Sequence, residues 1–131
     1  IFQHPEKSVN PKWKMKKIIN ESFTPSKELI EAMGIKEGWM NRWPSELSGG
    51  ELQRFCVIRA LSPKTKFLIA DEMTTMLDAI TQAQIWNVVL DYAKKNDIGV
   101  VVISHEKALV EKICDRVVNL EEFKEEQKEV V

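Results

Sequence analysis

No apolar run in these 131 residues approaches the ~20 that a bilayer-crossing helix needs; the longest are a handful of residues. That excludes a spanning helix within the sequence, and no basic-then-apolar leader opens it, so the expectation is a soluble, cytosolic protein. Cysteine is scarce. Cys56 and Cys114 lack a C-x-x-C spacing and sit among apolar neighbours, which argues against a disulfide scaffold or thiolate metal site and predicts core thiols in a reducing compartment. An excess of either charge is lacking too: 19 basic against 20 acidic residues leave a net charge of −1. Nothing electrostatic therefore favours nucleic acid or an anionic membrane surface. There is no internal repeat. No G-x-x-x-x-G-K-[ST] loop for cradling phosphate occurs anywhere. With Ile as its first residue, the chain reads as a piece of something longer.

What is present is periodic. With 44 % apolar residues there is enough to pack one domain of ordinary size. Pro5 and Pro11 make residues 1–11 a short strand end running into a loop. Trp13, Met15, Ile18 and Ile19 among lysines predict a short amphipathic helix within 12–23. Thr24-Pro25 predicts the start of a second, with Thr24 as N-cap, Leu29, Ile30 and Met33 as its stripe and Gly34 as its stop. Residues 38–44 read as a loop whose Trp39 and Trp43 pack. A helix over 48–61 buries Leu52, Phe55, Cys56 and Ala60 on one side and ends at Ser62-Pro63.

From there the pattern alternates. Strand 67–71, a helix about 79–96, strand 100–104, a helix about 107–114 and strand 116–120 follow in turn. Ile85, Trp86, Val89, Leu90 and Ala93 form the apolar side of the long helix. Short apolar strands alternating with amphipathic helices predict an α/β fold with a parallel sheet covered on both faces. Residues 121–131 are mostly charge and read as a solvated helical end or a disordered stub.

Three constellations carry chemistry. The first is Leu47-Ser48-Gly49-Gly50-Glu51-Leu52-Gln53-Arg54. Its Ser48-x-x-Glu51 is a capping box, and many helices begin so. Gly49 and Gly50 add something capping does not need: bare backbone, where an anion can approach first-turn N–H groups favoured by the helix dipole. The second is the aliphatic run Phe67-Leu68-Ile69-Ala70 closed by Asp71-Glu72. Alone it could be an ordinary strand and polar turn. In phosphoryl transfer the two carboxylates divide the work, Asp71 on a hydrated Mg²⁺ and Glu72 on the attacking water. The third is His105 after a strand end, where open parallel sheets bind ligands; a neutral imidazole there can hydrogen-bond a γ-phosphate or the water. A lone histidine is otherwise structural. Gln3 could be any loop amide, and His4 reads as surface.

Together these residues resemble the nucleotide-binding subunit of ATP-binding-cassette (ABC) transporters. Residues 47–54 look like the family's signature motif, 67–72 its Walker B strand, Leu77-Asp78 its D-loop, Ser104-His105 its H-loop and Phe2-Gln3 its Q-loop. All five stand in the family's order across essentially the whole chain. Phe2-Gln3-His4-Pro5, Ser8-Val9-Asn10-Pro11, Ile69-Ala70-Asp71-Glu72 and Gln82-Ala83-Gln84-Ile85 are closest to the branch serving dipeptide, oligopeptide and nickel importers. Met73 departs from the usual Pro, Met76 from a small residue and Glu51 from a common Gln. The largest departure is the missing Walker A loop, so the chain resembles a C-terminal fragment.

The resemblance implies a partial P-loop NTPase fold: a helical subdomain, then the parallel βαβαβ part of a RecA-like core. It divides the chain into 1–62, 63–120 and a charged tail, 121–131. It implies ATP and Mg²⁺, with Asp71 and Gln3 serving the metal, Glu72 as catalytic base and His105 as γ-phosphate switch. Ser48, Gly49, Gly50 and Glu51 would meet the ATP of an opposing subunit, and Asp78 would link the two sites. The implied partners are a second cassette, arranged head to tail, and transmembrane permease subunits that hold it at the inner face of the membrane; nucleic acid is not among them. Gln3 and Ser48 stand 45 positions apart, which suits a compact helical subdomain. DNA-repair and chromosome-maintenance relatives place a long coiled coil there instead. A degenerate cassette acting only as an interaction module is the remaining alternative, opposed by the retention of Gln3, Glu72 and His105. Without a P-loop, these residues alone are expected to hydrolyse no ATP. The solute, peptide or nickel, is set by other subunits. In the family's sheet order the P-loop strand lies between the strand ending at His105 and 116–120. Its absence predicts that 100–103 and 116–120 close on each other or pair with a second chain.

Overall fold

The computed structural model describes residues 1–120. Helix α1 (Met15–Ile19) is short but buries Met15, Ile18 and Ile19 to 1 % exposure or less, the i, i+3, i+4 face of an amphipathic helix. Its first N–H groups would be orphans. The loop at 38–44 answers them: Met15 N–H donates to Arg42 O at 2.9 Å and Lys16 N–H to Met40 O at 2.8 Å. Trp39 packs in that loop as expected, whereas Trp43 stays 41 % exposed with the Lys14 ammonium over its ring.

Helix α2 (Lys27–Ala32) starts later than the sequence predicts. Ser26, not Thr24, is the N-cap, its Oγ accepting from Leu29 N–H at 3.2 Å. Serine caps better than threonine. The stop is as expected. Gly34 sits at φ +71°, and Ile35 N–H reaches back to Ile30 O at 3.1 Å to close the helix end.

Helix α3 (Gly49–Ala60) is buried on more than the predicted side. Gln53, Val57 and Ile58 join Leu52, Phe55 and Cys56 inside, which makes it the central core helix. Burial pushes the Cys56 thiol up to about 11, as for a core thiol rather than a nucleophile.

Strand β1 (Phe67–Asp71), helix α4 (Ala79–Lys95) and strand β2 (Gly99–Ile103) form a parallel unit with Phe67 opposite Gly99 and Asp71 opposite Ile103. A Cβ at Gly99 would lie 2.9 Å from the Phe67 ring, so the register wants glycine there. Helix α4 sends Ile85, Trp86, Val89 and Ala93 into the cluster that holds Leu68 and Ala70. Helix α5 (Lys107–Ile113) follows β2. Ile1 adds a strand stub to the other edge of β1: its N-terminus bonds Ile69 O at 2.6 Å, and Asp71 N–H donates to Ile1 O at 2.9 Å.

Two expectations fail. The sheet is covered on one face, not both: Phe67, Ile69, Val101 and Ile103 are between 48 and 77 % exposed. Side chains alternate along a strand, and the helices pack only where Leu68 and Ala70 point. Residues 116–120 form no third strand, and among the described residues the sheet has two strands, β1 and β2. Val117 and Val118 carry the right β propensity. A strand is completed by a neighbour's backbone, however, and composition alone does not supply that pairing. Residues 100–103 therefore do not close against 116–120. The tail at 121–131 lies outside the described residues.

Candidate functional site

The acidic pair leaves β1 through a sharp turn. Glu72 sits at φ +50°, in the left-handed region that non-glycine residues enter rarely and at a cost. Its N–H still donates to Ile103 O at 2.9 Å, extending the β1–β2 ladder by one step. From there the side chain meets His105. Glu72 Oε1 accepts from His105 N–H at 3.1 Å and lies 2.9 Å from His105 Nδ1, while Oε2 accepts from the Thr75 hydroxyl. The Thr75 hydroxyl first, and then the groups of His105, hold the Glu72 carboxyl below its ordinary 4.5 against the opposing effect of burial. The hydrogen bond to Glu72 and then its charge raise His105 above its ordinary 6.5.

These directions give a pH dependence. A raised histidine stabilises the fold fully below its unfolded value and loses that contribution as pH rises through the folded one. The depressed carboxyl contributes above its unfolded value and loses it as pH falls through the folded one. In an NMR titration, His105 is therefore expected to lose its proton above 6.5 and to return towards 6.5 in Glu72→Gln. An imidazole titrating at or below 6.5 in the unaltered chain would contradict the pairing.

The turn after Glu72 is anchored from two helices. Gln53 Nε2, 1 % exposed on α3, donates to Met73 O at 2.6 Å and to Phe2 O at 3.0 Å. Trp86 Nε1 on α4 donates to the buried Thr74 hydroxyl at 3.0 Å. Neither Gln53 nor Thr75 stood out in the sequence as a site residue. A glutamine between buried Leu52 and Phe55, and a threonine three residues after a carboxylate, were the available signals. Trp86→Phe removes the indole donor and leaves the Thr74 hydroxyl buried without it. It is expected to destabilise the fold by about 1–3 kcal/mol, with little further loss in Trp86→Phe/Thr74→Val. Urea midpoints of the two variants check this.

The sequence-predicted residues fall into two groups. Gln3, Asp71 and Glu72 line a cleft of about 720 Å³, and His105 joins them through Glu72. Ser48, Gly50, Glu51, Leu77 and Asp78 line a separate groove of about 520 Å³ that shares no residue with the cleft. In the groove the capping box is complete. Ser48 Oγ accepts from Glu51 N–H at 3.2 Å, and Glu51 Oε2 accepts from Ser48 N–H at 2.9 Å. Glu51 thus closes the helix end with one carboxylate oxygen while lining the groove. A Cβ at Gly49 would meet nothing within 4 Å, which leaves the approach to the first turn open. Asp78 caps α4, accepting from Thr81 N–H at 3.0 Å and Ile80 N–H at 3.1 Å; the Thr81 bond leads in lowering its pKa. Arg54 crosses from α3 to Met33 O at 2.5 Å and Gln84 Oε1 at 2.9 Å, tying the groove's walls together.

A family model described as ABC transporter matches residues 1–75, more than half of the chain. Among curated proteins, the oligopeptide transport ATP-binding protein OppD of Bacillus subtilis (strain 168) is 40 % identical over 131 residues, covering 89 % of this chain and 37 % of that protein. The dipeptide transport ATP-binding protein DppF of Lactococcus lactis subsp. cremoris is 33 % identical, covering 89 % and 42 %. The chain spans only 11–43 % of the length of the curated relatives compared. Among solved structures it resembles the ATP-binding cassette MJ0796 in a dimeric post-hydrolysis state bound to ADP and Pi. The TM-score is 0.67 at 22 % identity, over 82 % of this chain and 53 % of that one. That likeness carries the fold: a helical subdomain and the parallel core of an ABC ATPase.

Proposed function

Because the chain belongs to the ABC transporter family, we propose that it is the catalytic-carboxylate and signature-helix portion of a cassette that hydrolyses ATP to drive an importer. The observation that carries this reading is the division of the site. Glu72, Asp71 and Gln3 share one cleft, while the helix start at Ser48 and Gly50 lines another. The two share no lining residue. Two cassettes arranged head to tail would bring the signature helix of each to the cleft of the other.

The roles follow from chemistry. Glu72 takes a proton from water as the water oxygen bonds the γ-phosphorus; the bond to the bridging oxygen breaks, and its electron pair leaves with ADP. The left-handed turn and the contacts to Thr75 and His105 hold that carboxylate in place. Gly49 and Gly50 offer backbone N–H groups to phosphate, and the Ser48 hydroxyl keeps its proton to donate while its oxygen caps α3. His105 reaches the γ-phosphate by exchanging its bond to Glu72. Asp78 holds the D-loop between the two sites.

Mg²⁺ fits the donors present. Asp71 and Gln3 offer a carboxylate and an amide oxygen in one cleft, and the described residues hold no group of three His, Cys, Asp or Glu that would build a dedicated cage. Mg²⁺ commonly binds through one or two carboxylates, completed by waters and substrate phosphates. When bound, it neutralises charge developing on the phosphates.

The domain division at 1–62 and 63–120 belongs to the same reading, as does attachment to membrane permeases at the inner face. Relatives named for oligopeptide and dipeptide transport support a peptide cargo over nickel. The 131 residues contain no phosphate-cradling loop, so by themselves they should bind ATP weakly and turn none over. Phosphate release by the polypeptide that carries this chain together with a P-loop half tests the proposal. No ATP-dependent release, with nucleotide demonstrably bound, would leave only the interaction-module alternative.

A further inference from the structure

We propose that Thr75 is the positioning residue for Glu72, its hydroxyl holding the carboxylate oxygen that receives the attacking water. The inference deepens the ATPase reading and rests on it. An ionised carboxylate has about four lone-pair sites. His105 occupies Oε1 with its N–H and Nδ1, and the Thr75 hydroxyl donates to Oε2. The capacity left for water in this arrangement is on Oε2, the oxygen that Thr75 holds.

The rest of the turn is built to keep Thr75 there. Thr75 N–H donates to Glu72 O at 3.3 Å, closing the turn that opens with the left-handed Glu72. Gln53 and Trp86 pin Met73 and Thr74 between them, so the turn cannot slide along the core. The two adjacent threonines therefore do different work. Thr74 is 2 % exposed and bonds Trp86; Thr75 is half-buried and faces the carboxylate. His105 can leave Glu72 for another acceptor without freeing the oxygen that Thr75 holds.

The test is steady-state ATP hydrolysis by the polypeptide that joins this chain to its P-loop half, comparing Thr75→Val, Thr75→Ser and Glu72→Gln. A hydrogen bond to a charged group is worth about 10–100-fold here. Thr75→Val is expected to lower kcat by about that factor with KM for ATP unchanged to within about 2-fold. Thr75→Ser, which restores the donor, should recover to within about 3-fold of the original kcat. In a Glu72→Gln background, Thr75→Val should cost nothing further. A kcat for Thr75→Val equal to that of the unaltered enzyme, a Thr75→Ser no better than Thr75→Val, or a KM rising in step with the loss would each overturn the role. Should Thr75→Val not fold, Thr75→Ala against Thr75→Ser reads the same difference. Failure of the ATPase reading looks different: the unaltered polypeptide would show no turnover, or Glu72→Gln would leave turnover intact, and Thr75 would lose its role with it.

Discussion

Glu72→Gln is expected to cut ATP turnover by about 10²–10⁴-fold while leaving nucleotide binding intact, because it removes the proposed general base and little else. The carboxylate sits at the end of β1, 23 % exposed, accepting from His105 on one oxygen and from Thr75 on the other. An amide of the same shape can satisfy both sides. Its carbonyl can face the His105 N–H, and its NH₂ can face a Thr75 hydroxyl that rotates to accept. The fold and the left-handed turn should therefore survive. An amide cannot take a proton from water near neutral pH, so on the proposed mechanism the chemical step is expected to stop with ATP bound and the proposed head-to-tail dimer closed. Phosphate release and retention of nucleotide on the isolated protein are the two measurements. Turnover within a few-fold of the unaltered enzyme would remove Glu72 from the role of base, and the search would pass to another group in the cleft.

How much of this could be read beforehand depended on how local each determinant is. The helix start at Ser48 was legible because a capping box joins four consecutive residues, and both of its bonds are present. The end of β1 at Asp71 was legible because the aliphatic run and the carboxylates are contiguous. At Thr24-Pro25-Ser26 two caps competed within three residues, and the serine, the better cap, won. Residues 116–120 failed for a different reason: their composition suits a strand, but pairing depends on a neighbour that the segment itself cannot specify. Coverage of the sheet failed similarly, since Phe67 and Ile69 are apolar enough to be buried yet stay more than half exposed among the described residues. At the site, identity was readable and mutual arrangement was not. Asp78 proved to cap α4, a use its motif does not announce. Gln53 acts through the Phe2 and Met73 carbonyls, contacts that exist only once α3 is buried against the turn, and Thr75 through the Glu72 carboxylate, which the left-handed turn brings to it.

Ser48 separates a helix cap from a phosphate ligand, because the two roles want different atoms of one hydroxyl. As a cap, its oxygen accepts from Glu51 N–H, and aspartate would do this at least as well. As a ligand of an opposing ATP, its proton must be donated, and a carboxylate in its place has none to give. A negative charge about 4 Å from a phosphate oxygen adds repulsion of about 1–4 kcal/mol, depending on how much water remains. Ser48→Asp is therefore expected to keep the stability of α3 and to lose about 10–10³-fold in ATP-driven dimer closure and turnover. Ser48→Arg tests the same surface by bulk. Ser48 is exposed, so an arginine there overlaps nothing within its own chain and costs the monomer only the cap, about 0.5–2 kcal/mol. Across a closed dimer the guanidinium would fill the space the phosphates need, and hydrolysis should fall by about 10² or more, in line with losing a preorganised donor. Monomer nucleotide binding, thermal midpoint, dimer formation by light scattering and phosphate release together separate the roles. If Ser48→Asp is as active as the original and Ser48→Arg loses only what its lower stability explains, the serine is a cap and the signature helix does not face a nucleotide. If both retain monomer binding and neither closes the dimer, the open helix start is half of an ATP site that a second copy completes.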